Sequence, residues 1–461
     1  MAVSPARAAA FEILLRVERD DSYASELLHS SRLAKLSSND HGLATELVMG
    51  VQRWRSLLDQ QLARASLQRL DRLDLEVLTA LRLGLYQLQF LSRVPARAAI
   101  FESVELVKAA RKRSAASFVN AILRKTEPST AESALETIKQ CPDAAHLASC
   151  SAHPEWLVAR WVERYGLATA RAICAYGQTV PATAIHIHDD KCEEELIEAG
   201  VQLSPGALLS SARRVNVERR APRPPALSGV EGSSRAGTPG SPQNPGVSIQ
   251  DEASQLVALL VGHGEKILDC CAAPGSKTAL LAKRNPHARV FASELHPHRA
   301  RLLRHLVSLP NVHTVVADAR QLPFASGFDR ILADVPCSGT GTLARNPEIK
   351  WHLKLADLAD LQSRQIVILK AALGQLAARG RLVYSTCSLE REENEAVVEA
   401  ALETGDQFAR IDGRVELEQL RRSNELCWDD LGSLLAGPYL RTIPGQHPCD
   451  GFFAAIIERK A

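Results

Sequence analysis

No Cys-x-x-Cys pair occurs among the ten cysteines of this 461-residue chain, which removes the usual structural zinc pattern. No uninterrupted apolar run is long enough to span a bilayer, so no membrane association is expected. The opening residues, Met1-Ala2-Val3-Ser4-Pro5-Ala6-Arg7, lack a basic segment followed by an apolar stretch, and no signal peptide is expected. Cysteines spread this thinly do not make a disulfide scaffold; free thiols in a reducing cytoplasm are the expectation. The turn at residues 269–277 is neither a Walker loop nor Gly-x-Gly-x-x-Gly.

What is there is an ordinary globular composition, 46% apolar and 23% charged, in a chain long enough for two or three domains. The net charge of +2 hides an asymmetry. Residues 1–125 carry 19 Lys+Arg against 13 Asp+Glu, a balance of +6, and the remainder carries −4. A basic first domain suits a polyanionic partner; solvated helix faces account for the same count.

Residues 5–126 read as helical throughout. Leu78, Leu81, Leu85 and Leu88 recur on one face, Pro95 separates two helices, and Ser37 with Asp40 resembles a capping box opening a helix through Trp54. A bundle of about five to seven helices follows. Residues 131–220 are mixed, with a helix from His153-Pro154-Glu155 and a strand at 182–188. Trp156 and Trp161 on that helix are expected to be packing residues rather than base platforms. His186 and His188 would share a strand face, with no third metal ligand evident. Residues 221–246 hold six prolines and five glycines and are expected to form a flexible loop. From Val247 to the end, short apolar strands alternate with helices, as in a doubly wound α/β domain.

Three strand ends of that domain carry chemistry. Lys266-Ile267-Leu268-Asp269 runs into Cys270-Cys271-Ala272-Ala273-Pro274-Gly275-Ser276-Lys277-Thr278, a turn and helix start able to hold an anionic group on backbone amides. Glu294 ends the next strand, where an acid suits a ribose diol. Asp318 ends a third, where it can accept from an exocyclic amino group. Together these favour a nucleoside-containing cofactor, either NAD or S-adenosylmethionine.

Two cysteines decide between them. Cys337 lies in Asp334-Val335-Pro336-Cys337-Ser338-Gly339 and Cys387 in Tyr384-Ser385-Thr386-Cys387-Ser388, each just past an apolar strand. Hydride transfer needs no such pair. Methylation at carbon 5 of a pyrimidine does need a thiolate, which adds to carbon 6 and makes carbon 5 nucleophilic. A second acid/base group assists loss of the C5 proton. A lone buried cysteine is ordinarily inert core, and Cys270 is assigned to packing on that ground. The others (Cys141, Cys150, Cys174, Cys192, Cys427 and Cys449) have no comparable setting.

These residues resemble the RNA cytosine-5 methyltransferase family, in its bacterial 16S ribosomal RNA branch of the Fmu/Sun type. Further matching pieces are Val247-Ser248-Ile249-Gln250-Asp251-Glu252-Ala253-Ser254-Gln255-Leu256, the Thr340-Gly341 extension, Pro444-Gly445 and Asp450-Gly451-Phe452-Phe453. Phe118-Val119-Asn120-Ala121-Ile122-Leu123-Arg124 looks like the helical RNA-binding fold of the NusB antitermination factor. The resemblance implies a NusB-like all-α bundle at 1–130, a small α+β linker domain at 131–220 and a Rossmann-like methyltransferase domain at 247–461. It implies S-adenosylmethionine bound by Cys271, Ala272, Ala273, Pro274, Gly275, Ser276, Lys277, Glu294, Asp318 and Asp334. Cys387 is then the nucleophile and Cys337 the releasing group, with Asp334 and Lys277 beside the base or cofactor. The implied partner is 16S ribosomal RNA or a small-subunit precursor, with the same chemistry on tRNA and a non-catalytic RNA-binding assembly factor as the alternatives, and a cytoplasmic monomer is expected.

Two departures from the pattern stand out. Ser276 replaces the second glycine of the usual turn and must avoid positive φ or accept about 1 kcal/mol of strain. Residues 221–246 look like an insertion where the family has a compact linker.

Overall fold

The structure, a computed structural model, describes the chain except residues 1–2, 21, 29, 31–32, 67, 127–129, 188–189, 217–246, 326 and 404–405. His188 and the proline-glycine stretch at 221–246 therefore lie outside the described residues. Two compact units are present, Met1–Val180 with Leu343–His352, and Pro181–Thr342 with Leu353–Ala461.

The first unit is helical. It comprises α1 (Pro5–Asp20), α2 (Ala24–Leu28), α3 (Ser38–Ala65), α4 (Leu75–Phe90), α5 (Ala96–Ala109), α6 (Ala116–Lys125), α7 (Ala131–Gln140), α8 (Ala144–Cys150) and α9 (Glu155–Gly177). Ser37 caps α3, its Oγ accepting from the Asp40 amide at 3.1 Å. Pro95 sits at the N-cap of α5, where a missing N–H costs nothing. The single leucine stripe expected on α4 understates its burial. Leu81 and Leu85 are fully buried, but so are Ala80 and Leu83, while Leu78 and Leu88 are only partly covered. α4 packs against α1, α3, α5 and α6, so it is a central helix with no solvated face. Trp161 is buried and meets His153 edge-on at 5.8 Å, a packing role. Cys141 and Cys150 bring their sulfurs together with Cα atoms 7.9 Å apart, wider than a disulfide spans, and the other eight cysteines form no disulfide.

The second unit opens with an antiparallel sheet of β1 (Thr183–Ile187), β2 (Leu203–Pro205), β3 (Ala212–Val215) and β4 (Val247–Ile249), with α10 (Asp190–Glu198) between β1 and β2. The order is β2-β3-β1-β4. Then follow α11 (Glu252–Val261), β5 (Lys266–Asp269), α12 (Ser276–Arg284), β6 (Arg289–Glu294), α13 (Pro297–Leu306), β7 (Val312–Val316) and β8 (Phe328–Asp334). The chain next contributes α14 (Ile349–His352) to the first unit. It continues with α15 (Asp357–Leu373), β9 (Leu376–Thr386), α16 (Glu395–Leu402), β10 (Phe408–Ile411), α17 (Gly413–Arg422), β11 (Leu435–Ala436), β12 (Tyr439–Arg441) and β13 (Phe453–Arg459).

The large sheet runs β11-β12-β13-β9-β8-β5-β6-β7, with β10 also on β13. Strands β5 to β9 pair in parallel, and β13 joins β9 antiparallel. The fold is thus a Rossmann-like α/β layer with an antiparallel edge. Strand alternation builds both faces. Ile267, Val290, Leu332, Val383 and Ile456 bury against α11 and α12. Their neighbours Leu268, Ile331, Leu382 and Ile457 bury on the other face, against α15 and α16.

Leu343–His352 is held within the first unit by two backbone carbonyls and one arginine side chain of α3. Lys350 Nζ donates to Arg53 O at 2.8 Å, Trp351 Nε1 to Gln52 O at 2.7 Å, and Arg53 Nη2 to Ala344 O at 2.9 Å. Lys350 is 1% exposed, and burial pushes its amine well below its ordinary range.

Candidate active site

Parallel strands carry their ligands beyond their carboxyl ends, and here β5, β6, β8 and β9 are adjacent. Asp269, Glu294 and Asp334 end the first three, and Cys387 follows the fourth.

The turn after β5 is fixed by two backbone bonds and one from a side chain. Cys270 N donates to Leu332 O and Ala272 N to Ser293 O, both at 2.9 Å, and Ala273 O accepts from Arg299 Nη2 at 3.2 Å. Gly275 has φ +121°, and a Cβ there would meet Val307 Cγ2 at 2.5 Å and Leu303 Cδ1 at 2.6 Å. Only glycine suits that position. Ser276 is the first residue of α12 and is not among the residues with positive φ. The strain foreseen for it is therefore avoided: the αL burden falls on Gly275, and serine is tolerated at a helix start.

Glu294 is 4% exposed and accepts from His296 N at 2.9 Å, with Arg299 Nη1 3.8 Å away. Ala317 N donates to Glu294 O at 3.1 Å, so Asp318 follows on the neighbouring strand. Asp318 is engaged by Arg320 at 2.6 Å, and that hydrogen bond holds its carboxyl below the usual range. Leu295, directly after Glu294, is 49% exposed, an apolar surface beside the acid.

Cys337 Sγ and Cys387 Sγ are 3.4 Å apart. Cys337 is buried and Cys387 partly exposed. Their turns are joined by Gly341 N donating to Cys387 O at 2.9 Å. Gly341 in turn accepts from Gly451 N at 2.8 Å, and a Cβ on Gly341 would meet Gly451 O at 2.1 Å. That close approach packs the Ser-Gly-Thr-Gly turn directly against the Asp-Gly-Phe-Phe turn. Lys277 Nζ lies 2.8 Å from Asp334 Oδ2, and Ser385 Oγ donates to Asp334 Oδ1 at 2.7 Å. Lys277 also lies over the Phe452 ring at 5.1 Å. Burial lowers its ammonium, but Asp334, with a smaller contribution from Cys387, outweighs this and raises it overall.

Sequence reasoning gave Asp269 only as a strand end and missed Ser293 and Glu393. Asp269 is fully buried, and burial pushes its carboxyl up to about 7 against a bond from Thr278 Oγ1 at 2.7 Å. Its Oδ1 has no hydrogen-bond partner at normal geometry, nor does the buried Ser293 Oγ at the end of β6. Two orphaned polar atoms beside a glycine turn and a buried acid fit a polar, cationic cofactor bearing a ribose. Glu393, expected by nothing in the pattern, is completely buried behind both cysteine turns. Among the described residues no group of His, Cys, Asp and Glu is arranged to hold a metal.

Fold and site together define an S-adenosylmethionine-dependent methyltransferase. The family model for "16S rRNA methyltransferase RsmB/F" matches residues 256–458, and that of the NusB family matches residues 4–128. A Bacillus subtilis protein described as a probable ribosomal RNA small subunit methyltransferase B is 32% identical, with 98% of each chain covered. An Escherichia coli ribosomal RNA small subunit methyltransferase B is also 32% identical, with 92% of each covered. The chain belongs to the RsmB/F methyltransferase family, with a NusB domain at its N-terminus. Among solved structures, PH0851 superposes with a TM-score of 0.75 at 19% identity over 100% of both chains. NSun6 from Pyrococcus horikoshii, solved with SFG, gives 0.53 at 19% identity over 68% of this chain and 99% of its own. At that identity the two structures speak to the fold alone.

Proposed function

We propose that this protein methylates carbon 5 of one cytosine in 16S ribosomal RNA, through a covalent bond between Cys387 and carbon 6. The observation that carries the reading is the pair of thiols 3.4 Å apart beside the Lys277–Asp334 ion pair. S-adenosylmethionine supplies the electrophilic methyl group. Cys271 through Lys277, Glu294, Asp318 and Asp334 would hold it, with the buried Asp269 behind the turn.

Cys387 is the more exposed thiol and lies near the Lys277 ammonium. A cation there stabilises the negative sulfur during attack. The Cys387 sulfur bonds to C6, and the C5–C6 π pair moves onto C5 and the ring. Asp334, turned by Ser385 and Lys277, accepts from the N4 amino group and orients the base, while the Lys277 ammonium offsets charge developing on the ring. Once C5 carries its methyl group, Cys337 takes the C5 proton. The released pair reforms C5=C6 and expels Cys387. The basic bundle at 1–130 is assigned to holding the RNA backbone, and a flipped cytosine enters at a few kcal/mol if the target is helical. The protein acts as a monomer on rRNA or a small-subunit precursor.

The test is transfer of labelled methyl from S-adenosylmethionine to unmodified 16S rRNA, followed by bisulfite mapping. One protected cytosine supports the reading. Labelling of tRNA alone overturns the substrate and leaves the chemistry; no labelling of any RNA overturns both.

A further inference from the structure

Glu393 closes the short 3-10 turn Arg391–Glu393 and is 0% exposed. Its Oε1 accepts from Ser338 N at 2.7 Å and from Gln365 Nε2 at 3.0 Å. Its Oε2 accepts from the hydroxyls of Ser338 and Ser388. Those serines directly follow Cys337 and Cys387, and their own oxygens are 3.1 Å apart. The Glu393 carbonyl accepts from Tyr384 OH at 2.6 Å. The next residue, Asn394, accepts from Thr386 Oγ1 at 2.5 Å and donates to Ser388 O at 2.9 Å, so it brackets Cys387 on both sides.

Every donor on this carboxylate is neutral; no Lys, Arg or His pairs with it among the described residues. Burying a carboxylate without a cation is costly, and a glutamine of the same shape would bury at less cost. A glutamine could keep its oxygen on the two N–H donors, but its NH2 would force both serine hydroxyls to accept instead of donate. Only a carboxylate accepts from all four donors together, and three of the four belong to the residues that follow the thiols. The reaction asks the two sulfurs to address adjacent ring carbons, so their separation is a catalytic variable.

We propose that Glu393 is a positioning residue that clamps the two cysteine turns through Ser338 and Ser388, and that relaxing the clamp uncouples attack from release. The inference rests on the methyltransfer reading above. Glu393 itself touches neither base nor cofactor.

The experiment compares the full chain with Glu393→Gln and with the milder Ser388→Ala. Labelled methyl transfer to 16S rRNA gives kcat and KM, and denaturing gels give the RNA-linked fraction. Glu393→Gln is expected to lower kcat by about 100-fold, with KM for RNA and cofactor within about twofold. The RNA-linked protein should accumulate, because release suffers more than attack. Ser388→Ala should move the same way by about tenfold. Unchanged kcat in Glu393→Gln overturns the proposal. So does a loss of activity in which both KM values and the unfolding midpoint collapse and no adduct builds up.

A second readout needs no RNA. Diamide takes two electrons and two protons from a thiol pair, leaving a disulfide and the reduced hydrazide. Peptide mapping gives the rate of Cys337–Cys387 bond formation. That rate should fall by about tenfold in Glu393→Gln, since exchange within a pair depends on sulfur alignment. Equal rates overturn the clamp. An inactive wild-type protein whose disulfide rate still depends on Glu393 overturns the methylation reading instead.

Discussion

Lys277 Nζ sits 2.8 Å from Asp334 Oδ2, with side chains only 14% and 24% exposed. Each charge depends on the other for its solvation. Lys277→Met therefore leaves Asp334 partly buried and unpaired. The expected cost is about 2 kcal/mol, below that of a fully buried broken pair, measured by urea unfolding. Adding Asp334→Asn should recover most of this stability, and methyl transfer should stay absent in both variants. Recovery of activity in the double variant would remove both residues from the mechanism.

The two cysteines should separate the two halves of the reaction. Cys387→Ala is expected to abolish methyl transfer and the RNA adduct together. Cys337→Ala should leave attack intact and trap the protein on its RNA, visible on a denaturing gel. The opposite pattern would exchange their roles.

Asp269 makes stability depend on pH. Burial raises its folded pKa to about 7 from an ordinary 3.8, so the folded chain keeps this proton after the unfolded chain has released it. Stability from this group is complete below about pH 4, declines as pH rises, and is lost above about pH 7. Asp269→Asn does not titrate. In cofactor-free protein, its melting temperature relative to wild type should climb between pH 5 and pH 8; parallel profiles would refute the assignment.

Gly275 and Ser276 should respond in opposite ways although they are neighbours. Gly275→Ala meets Val307 and Leu303 and needs positive φ, which costs about 1–3 kcal/mol and should weaken cofactor binding by calorimetry. Ser276→Gly restores the usual turn sequence but relieves no strain. It should change stability by no more than about 1 kcal/mol and leave cofactor affinity alone.

The strands and the thiols were legible because they are local signals. A run such as Arg381-Leu382-Val383-Tyr384 announces a buried parallel strand, and a residue past its end is placed by topology alone. Ser37 and Pro95 marked helix starts for equally local reasons. Glu393 was not legible. It lies in Glu390-Arg391-Glu392-Glu393-Asn394-Glu395, which reads as a solvated acidic helix start, and its burial depends on a turn 55 residues upstream. Asp269 was visible as a strand end, but its proton was not, because desolvation is a property of the packed site. Lys350 and Trp351 carry no local signal, because only the carbonyls of α3 give them their role.

That placement has a consequence for how the protein is made. The helical unit is not one continuous stretch of chain: Leu343–His352 belongs to it, although the rest ends at Val180. As the ribosome delivers residues in order, the N-terminal helices emerge long before their last segment. At ordinary elongation rates the wait is on the order of ten seconds. During that interval Gln52 O and Arg53 O lack the donors that later cover them. Completion of the first unit is therefore timed by synthesis of the second, and a nascent chain halted between the two would expose an unfinished seam for chaperones to meet.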